Sequence, residues 1–201
     1  LGALGEQKRS AAPVEEATQA FLRVMEIWTH DQYPDEWAST QRKLGNSLLL
    51  LGEYRGMALR AVAPRLKAAL AHRKTLSELT TRRMPLKNKI LLVLLRLVER
   101  RSGIRYCVKA VAAYRNALKV WTRTAHARDW ANTQNLMGAA LTRIGDWEQD
   151  TELLGEAVAA YRAAVQVYKK LGDDRSIRVV ESNLSTVNTL LTHVRSSHAA
   201  Q

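Results

Sequence analysis

The chain has 201 residues, 46% of them hydrophobic, with four Pro, ten Gly, a single Cys and a net charge of +12. That apolar fraction suffices for a continuous core and excludes an intrinsically disordered chain, while the lone Cys107 excludes an internal disulfide and a thiolate metal cage. The longest apolar run, Ile90 to Leu95, falls far short of the ~18–20 residues of a membrane span, so no membrane partner is expected.

Ala, Leu and Arg dominate, residues that lose little freedom in a helix. Apolar residues recur at helical spacing, as in Leu44, Leu48 and Leu51 or in Val158, Tyr161, Val165 and Tyr168. In chain order the pattern predicts helices over 14–31, 36–51, 57–80, 84–100, 105–125, 128–144, 150–171 and 174–195. Pro13 suits a first helical turn and Pro34 a connection, whereas Pro64 and Pro85 fall near or inside helix starts. Gly52, Gly145 and Gly172 are each followed by an acidic residue. They are read as left-handed helix ends, the acid favouring the start of the next helix.

The sequence repeats itself. Ala110-Val111-Ala112-Ala113-Tyr114-Arg115 returns 47 residues later as Ala157-Val158-Ala159-Ala160-Tyr161-Arg162, and Ala17-Thr18-Gln19-Ala20-Phe21 echoes both. Trp28 and Trp37 are nine apart, as are Trp121 and Trp130. Trp37-Ala38-Ser39-Thr40-Gln41 with Leu44-Gly45 and Leu48 aligns without a gap on Trp130-Ala131-Asn132-Thr133-Gln134 with Met137-Gly138 and Leu141. The period is about 46 to 47 residues, so the chain divides into a partial repeat (1–31), repeat 1 (32–80), a degenerate repeat 2 (81–125), repeat 3 (126–171) and a partial C-terminal repeat or capping helix (172–201). Leu4-Gly5-Glu6 stands 13 residues before Ala17 as Ile144-Gly145-Asp146 stands before Ala157. The sequence thus opens inside a repeat, as a segment of a longer array would, and a targeting segment ahead of Leu1 is left open. Cytoplasmic location is the default expectation.

These residues resemble the tetratricopeptide repeat family, whose first helix carries a Leu-Gly-x-x-Leu/Tyr core followed by a Gly-acid-aromatic turn and a second helix with Ala and an aromatic. Here those are Leu44-Gly45 with Leu48 and Gly52-Glu53-Tyr54, then Met137-Gly138 with Leu141, Gly145-Asp146-Trp147, and Ala157 with Tyr161. The unit exceeds the family's usual 34 residues and is closest to long-period bacterial repeats with a Trp-Ala-x-Thr-Gln-x-x-Leu-Gly signature. The resemblance implies a right-handed α-solenoid of about four stacked antiparallel helix hairpins and a concave groove that binds peptides. By position, that groove would display Ser39, Arg42, Asn46 and Leu49 from repeat 1; Asn88, Leu92 and Arg96 from repeat 2; and Asn132, Asn135, Ala139 and Arg143 from repeat 3. It further implies a non-catalytic scaffold for protein or peptide partners.

Charge is concentrated. Arg65 to Lys109 holds thirteen Lys or Arg, among them Arg73, Lys74, Arg82, Arg83, Lys87, Lys89, Arg100, Arg101 and Arg105, against Glu78 and Glu99. That is +11 of the total, and the same stretch has lost the Trp-Thr-Gln-Gly signature. A drifted spacer with solvated cations, or a local reading-frame error, would give this pattern. A functional basic patch would favour an acidic protein partner or, alternatively, nucleic acid. Self-association through uncapped repeat ends is a further alternative.

Other features are read as packing. The recurring Trp28, Trp37, Trp121 and Trp130 are expected between helices, with Trp147 more exposed in a turn. Cys107 aligns with an apolar repeat position and is expected in the core. His30, His72, His126, His193 and His198 lack metal-ligand spacing, and no phosphate loop, nucleophile elbow or Cys/His pair nominates catalysis or a cofactor.

Overall fold

The computed structural model describes the backbone of residues 11–72 and 86–199, and side chains within 11–54 and 103–199. Six helices make up the described residues: α1 (Ala12–Ile27), α2 (Pro34–His72), α3 (Leu86–Val120), α4 (Ala127–Glu148), α5 (Thr151–Leu171) and α6 (Asp174–Ala199). The fold is all-α, and each helix packs on the next.

Local chemistry sets several boundaries. Pro13 occupies the first turn of α1, and α2 opens on Pro34 with Asp35 and Glu36 beside the partial positive charge of the helix start. At the start of α5, the Asp150 carboxylate accepts from the N–H groups of Glu152 and Leu153. At its end, Gly172 adopts the left-handed conformation (φ 65°) that the sequence predicts; its N–H donates to the Lys169 carbonyl and the next N–H, of Asp173, to the Tyr168 carbonyl. Asp173 caps α6, its carboxylate accepting from Ser176 N–H at 3.1 Å. That bond, with the Arg128 guanidinium beside it, holds the carboxyl below its usual range.

Two expected turns do not form. Gly145 lies inside α4, and the left-handed residue is Gln149 (φ 56°), four positions later. Gly52-Glu53-Tyr54 lies inside α2, which continues unbroken past Pro64 as a 39-residue helix. The break expected between 100 and 105 is likewise absent, since α3 runs for 35 residues through Gly103. The N-terminal part of α2 therefore pairs not with the segment after Gly52 but with the C-terminal part of α3.

The contacts define that pairing. A Cβ on Gly45 would lie 2.5 Å from the Tyr114 ring, and one on Gly52 would meet Tyr106 Cβ at 3.3 Å and the Gly103 carbonyl at 3.5 Å, so α2 and α3 run antiparallel. The same contact recurs between α4 and α5, where a Cβ on Gly138 would stand 2.9 Å from the Tyr161 ring. The paired residues are 69 apart in the first hairpin and 23 apart in the second, a difference of 46, or one repeat period. Residues 53–102 are thus spliced between the two helices of one hairpin. At 1.5 Å per residue, the part of α2 beyond Gly52 adds about 30 Å of helix. Because Gly52 and Gly103 already meet, excising 53–102 and joining them through the Gln149-Asp150 turn sequence should leave a helical protein that unfolds cooperatively. Loss of the sigmoidal thermal transition in circular dichroism would show instead that this segment is needed for folding.

The core explains the repeated signature. Ala38 and Ala131 are fully buried, where only a small side chain fits. Thr40 and Thr133, also buried, return their hydroxyls to the carbonyls of Glu36 and Asp129 one turn earlier, so neither needs a partner across the core. Leu44, Leu48, Tyr114, Leu141, Leu154, Tyr161, Val180 and Val187 belong to one continuous cluster reaching from α2 to α6. Trp121 is buried, but Trp28 is 38% exposed. Trp147, expected to be exposed, lies in α4 with its ring against Gly103, where the long α3 supplies a backbone for it to cover.

Candidate functional site

Positions three and four apart on a helix share a face. Ser39, Arg42 and Asn46 accordingly lie together on α2, on the side away from Gln41, Leu44, Leu48 and Leu51. The equivalent face of α4 carries Asn132, Asn135, Ala139 and Arg143. The two helices run parallel and are tied at two levels. Arg42 Nη2 lies 3.5 Å from Asp129 Oδ1, and Arg143 donates to Glu53 at 2.6 Å. Eight of the eleven sequence-predicted groove residues, Ser39, Arg42, Asn46, Leu49, Asn132, Asn135, Ala139 and Arg143, are therefore brought onto two neighbouring helices. The other three, Asn88, Leu92 and Arg96, lie on α3 with side chains outside the described residues.

Several of these side chains are already engaged within the protein. The Arg42 guanidinium sits 5.0 Å from the Trp121 ring centroid, a cation–π contact; its Nε is buried without a hydrogen-bond partner. Asn46 Oδ1 accepts from the Tyr114 hydroxyl at 2.8 Å, and Asn135 Oδ1 accepts from Asn183 Nδ2 on α6 at 3.1 Å. Ser39, Asn132 and Ala139 are half-buried, and Asn46 keeps an exposed edge. The helix faces give these residues their place, but their partners Asp129, Glu53 and Trp121 stand 79 to 90 positions away in sequence and left no local signal.

Of the basic patch, Arg73, Lys74, Arg82 and Arg83 lie outside the described residues. Lys87, Lys89, Arg100 and Arg101 fall on α3 with side chains not described. Arg105 is exposed on α3. On the opposite side of α2 from the polar face, α1, α2 and α3 enclose a cleft of about 640 Å³ whose walls include Leu22, Met25, Leu44, Leu48, Tyr106 and Lys109. It was not legible in the sequence, since it exists only because α1 and α3 flank α2.

Among the described residues no three His, Cys, Asp or Glu side chains gather as metal ligands would, and no helix is long and apolar enough to cross a membrane. Cys107 is fully buried, as its repeat position predicts, and burial raises its thiol to about 11, with the adjacent Arg143 only partly opposing the shift. The folded protein at pH 8 should thus resist alkylation by iodoacetamide and react only after unfolding, as read by intact mass. Modification at the rate of a free thiol would place Cys107 at the surface. Comparison of the chain with protein-family models, curated proteins and solved structures gave no match.

Proposed function

We propose that this chain is a non-catalytic binding scaffold of the tetratricopeptide-like solenoid type, taking an extended peptide or protein segment along the shared face of its first helices. One observation carries the reading. The two hairpins α2–α3 and α4–α5 repeat the same glycine-under-ring contact, and their first helices, α2 and α4, stand parallel with a polar row on one side. Ser39, Asn46, Asn132 and Asn135 can each pair a peptide backbone group, while Arg42 and Arg143 serve first as struts between helices. The positive net charge favours acidic partners and faster encounter with them.

An arrayed library of acidic and neutral peptides, followed by titration of the best binders, tests this. Ser39→Ala, Asn46→Ala and Asn132→Ala together should weaken binding at least about tenfold, or about 1.4 kcal/mol, with the helical signal unchanged. Equal binding by the triple variant would remove the groove from this face. Nucleic acid is the competing partner class, favoured by the +11 carried by residues 65–109. A duplex bound with a steep salt dependence, while no peptide binds, would replace the peptide reading by that one.

A further inference from the structure

The two seams between successive second helices are built differently. Helices α3 and α5 flank α4 and are tied across it, Arg115 donating to Glu156 at 2.8 Å and Arg123 to Gln166 at 2.9 Å. One repeat earlier, α1 and α3 flank α2 without either tie. Leu22 stands 93 residues before Arg115, and Lys109 stands 47 before Glu156, so an apolar side chain replaces the guanidinium and a cation replaces the carboxylate. His30 and Lys119 likewise take the places of Arg123 and Gln166. Lys109 makes no ion pair among the described residues, and Leu22 is 43% exposed. The cleft of about 640 Å³ lies along this seam.

Its floor is apolar, with one polar group set into it. Leu44, Leu48 and Leu51 line it from α2, each at 7% exposure or less, with Leu22 and Met25 facing them from α1. Gln41 lines the same cleft and is itself only 7% exposed, yet its carboxamide makes no hydrogen bond among the described residues. An amide buried that far without a partner is costly, and it offers both a donor and an acceptor to whatever meets it. The counterpart Gln134 on α4 is half-buried and reaches solvent, so the demand for a partner belongs to this seam. Asn116 adds a second, half-buried carboxamide from α3. Charge is confined to the rim, where the exposed Glu15 and Lys109 carry opposite signs. With no cation inside to offset the burial of a carboxylate, the interior selects a neutral guest.

We infer that the cleft between α1, α2 and α3 binds a small neutral amphiphile, an apolar chain bearing one amide. The chain lies along Leu22, Leu44 and Leu48, and the amide pairs with the Gln41 carboxamide. The volume falls in the range of roughly 300–1,000 Å³ usual for small-molecule sites. Gln41 to Leu51 spans about 15 Å of helix, close to the length of an extended decyl chain. The site is on the opposite side of α2 from the polar row and stands independently of the peptide-groove reading.

Decanamide is the probe, titrated into the full chain by isothermal calorimetry, with decanoate as its charged comparison. Saturable one-to-one binding of decanamide is expected, with decanoate at least about tenfold weaker. Gln41→Leu keeps the volume and removes the amide, and should weaken decanamide at least about tenfold without lowering the thermal midpoint. Leu22→Arg with Lys109→Glu installs the α3–α5 tie at two exposed positions, and should abolish binding while the circular dichroism stays unchanged. Should Gln41→Leu fail to fold, the tied variant still decides. No binding of decanamide up to its solubility overturns the proposal, as does equal binding by the wild-type and tied chains. Decanoate binding as tightly as decanamide would make the cleft an anion site and sink the neutral amide.

Discussion

Tyr114→Ala is expected to lower the free energy of unfolding by about 3–5 kcal/mol, the range for removing a large aromatic from a core. The ring is fully buried, packs against the Gly45 backbone and places its hydroxyl on Asn46 Oδ1. Tyr114→Phe keeps the packing and removes one neutral hydrogen bond, for about 1 kcal/mol. Gly45→Ala acts from the other side. It gains about 1 kcal/mol of helix propensity but drives a methyl to 2.5 Å from the ring, an overpacking that costs about 1–3 kcal/mol. Since each substitution acts through the same contact, the Gly45→Ala/Tyr114→Ala double variant should be clearly more stable than additivity predicts. Urea denaturation of the four proteins measures the cycle. Strict additivity would mean that the two residues do not touch.

Leu154→Ala should cost about 2–5 kcal/mol, because Leu154 is fully buried near the start of α5 and the site can collapse only partly. Its neighbour across the hairpin is Gly145, where a Cβ would meet Leu154 Cγ at 2.8 Å and the Leu154 backbone nitrogen at 3.1 Å. The side-chain contact can be relieved and the backbone one cannot. Gly145→Ala alone should therefore destabilise by about 1–3 kcal/mol, and Leu154→Ala in the same chain should recover only part of that coupling. If Gly145→Ala instead raises the midpoint, the glycine is tolerated in α4 and not required by α5.

These glycines show how far the sequence could be read. Gly45 and Gly138 sit in register in two copies of one motif, so a close approach of helices was readable from them. Tyr114 and Tyr161 align in the same way, but the expected turn at Gly52 paired the helix of Gly45 with the segment that follows it and not with the helix of Tyr114. Gly52 and Gly145 look like helix ends because glycine followed by an acid is the usual chemistry of a helix stop. In the fold both are contact points inside helices, since a stop also requires the chain to turn there. The residues after Gly52 continue the helical pattern, whereas after Gly145 the chain leaves the helix only at Gln149. Trp147 illustrates the same limit. A tryptophan beside an expected turn reads as exposed, and only the arrival of Gly103 from 44 residues upstream covers it.

The candidate site divides along similar lines. The resemblance to tetratricopeptide repeats nominated Ser39, Arg42 and Asn46 and their counterparts Asn132, Asn135 and Arg143, and a 3.6-residue period puts each set on one side of its helix. Neither could reveal that Arg42 is held by Trp121 and Asp129, or Arg143 by Glu53, because those partners come from helices that meet only after stacking.

By itself, then, the sequence determined the all-helical class, the repeat period, the left-handed stop at Gly172 and the core position of Cys107. Each is set by local propensity or by a pattern repeated within reach of the eye. The tertiary structure alone decided that α2 pairs with the far end of α3 across an inserted period and that the arginines of the polar face are struts. Those outcomes depend on contacts between residues tens of positions apart, whose free energy is collected only when the helices close on one another.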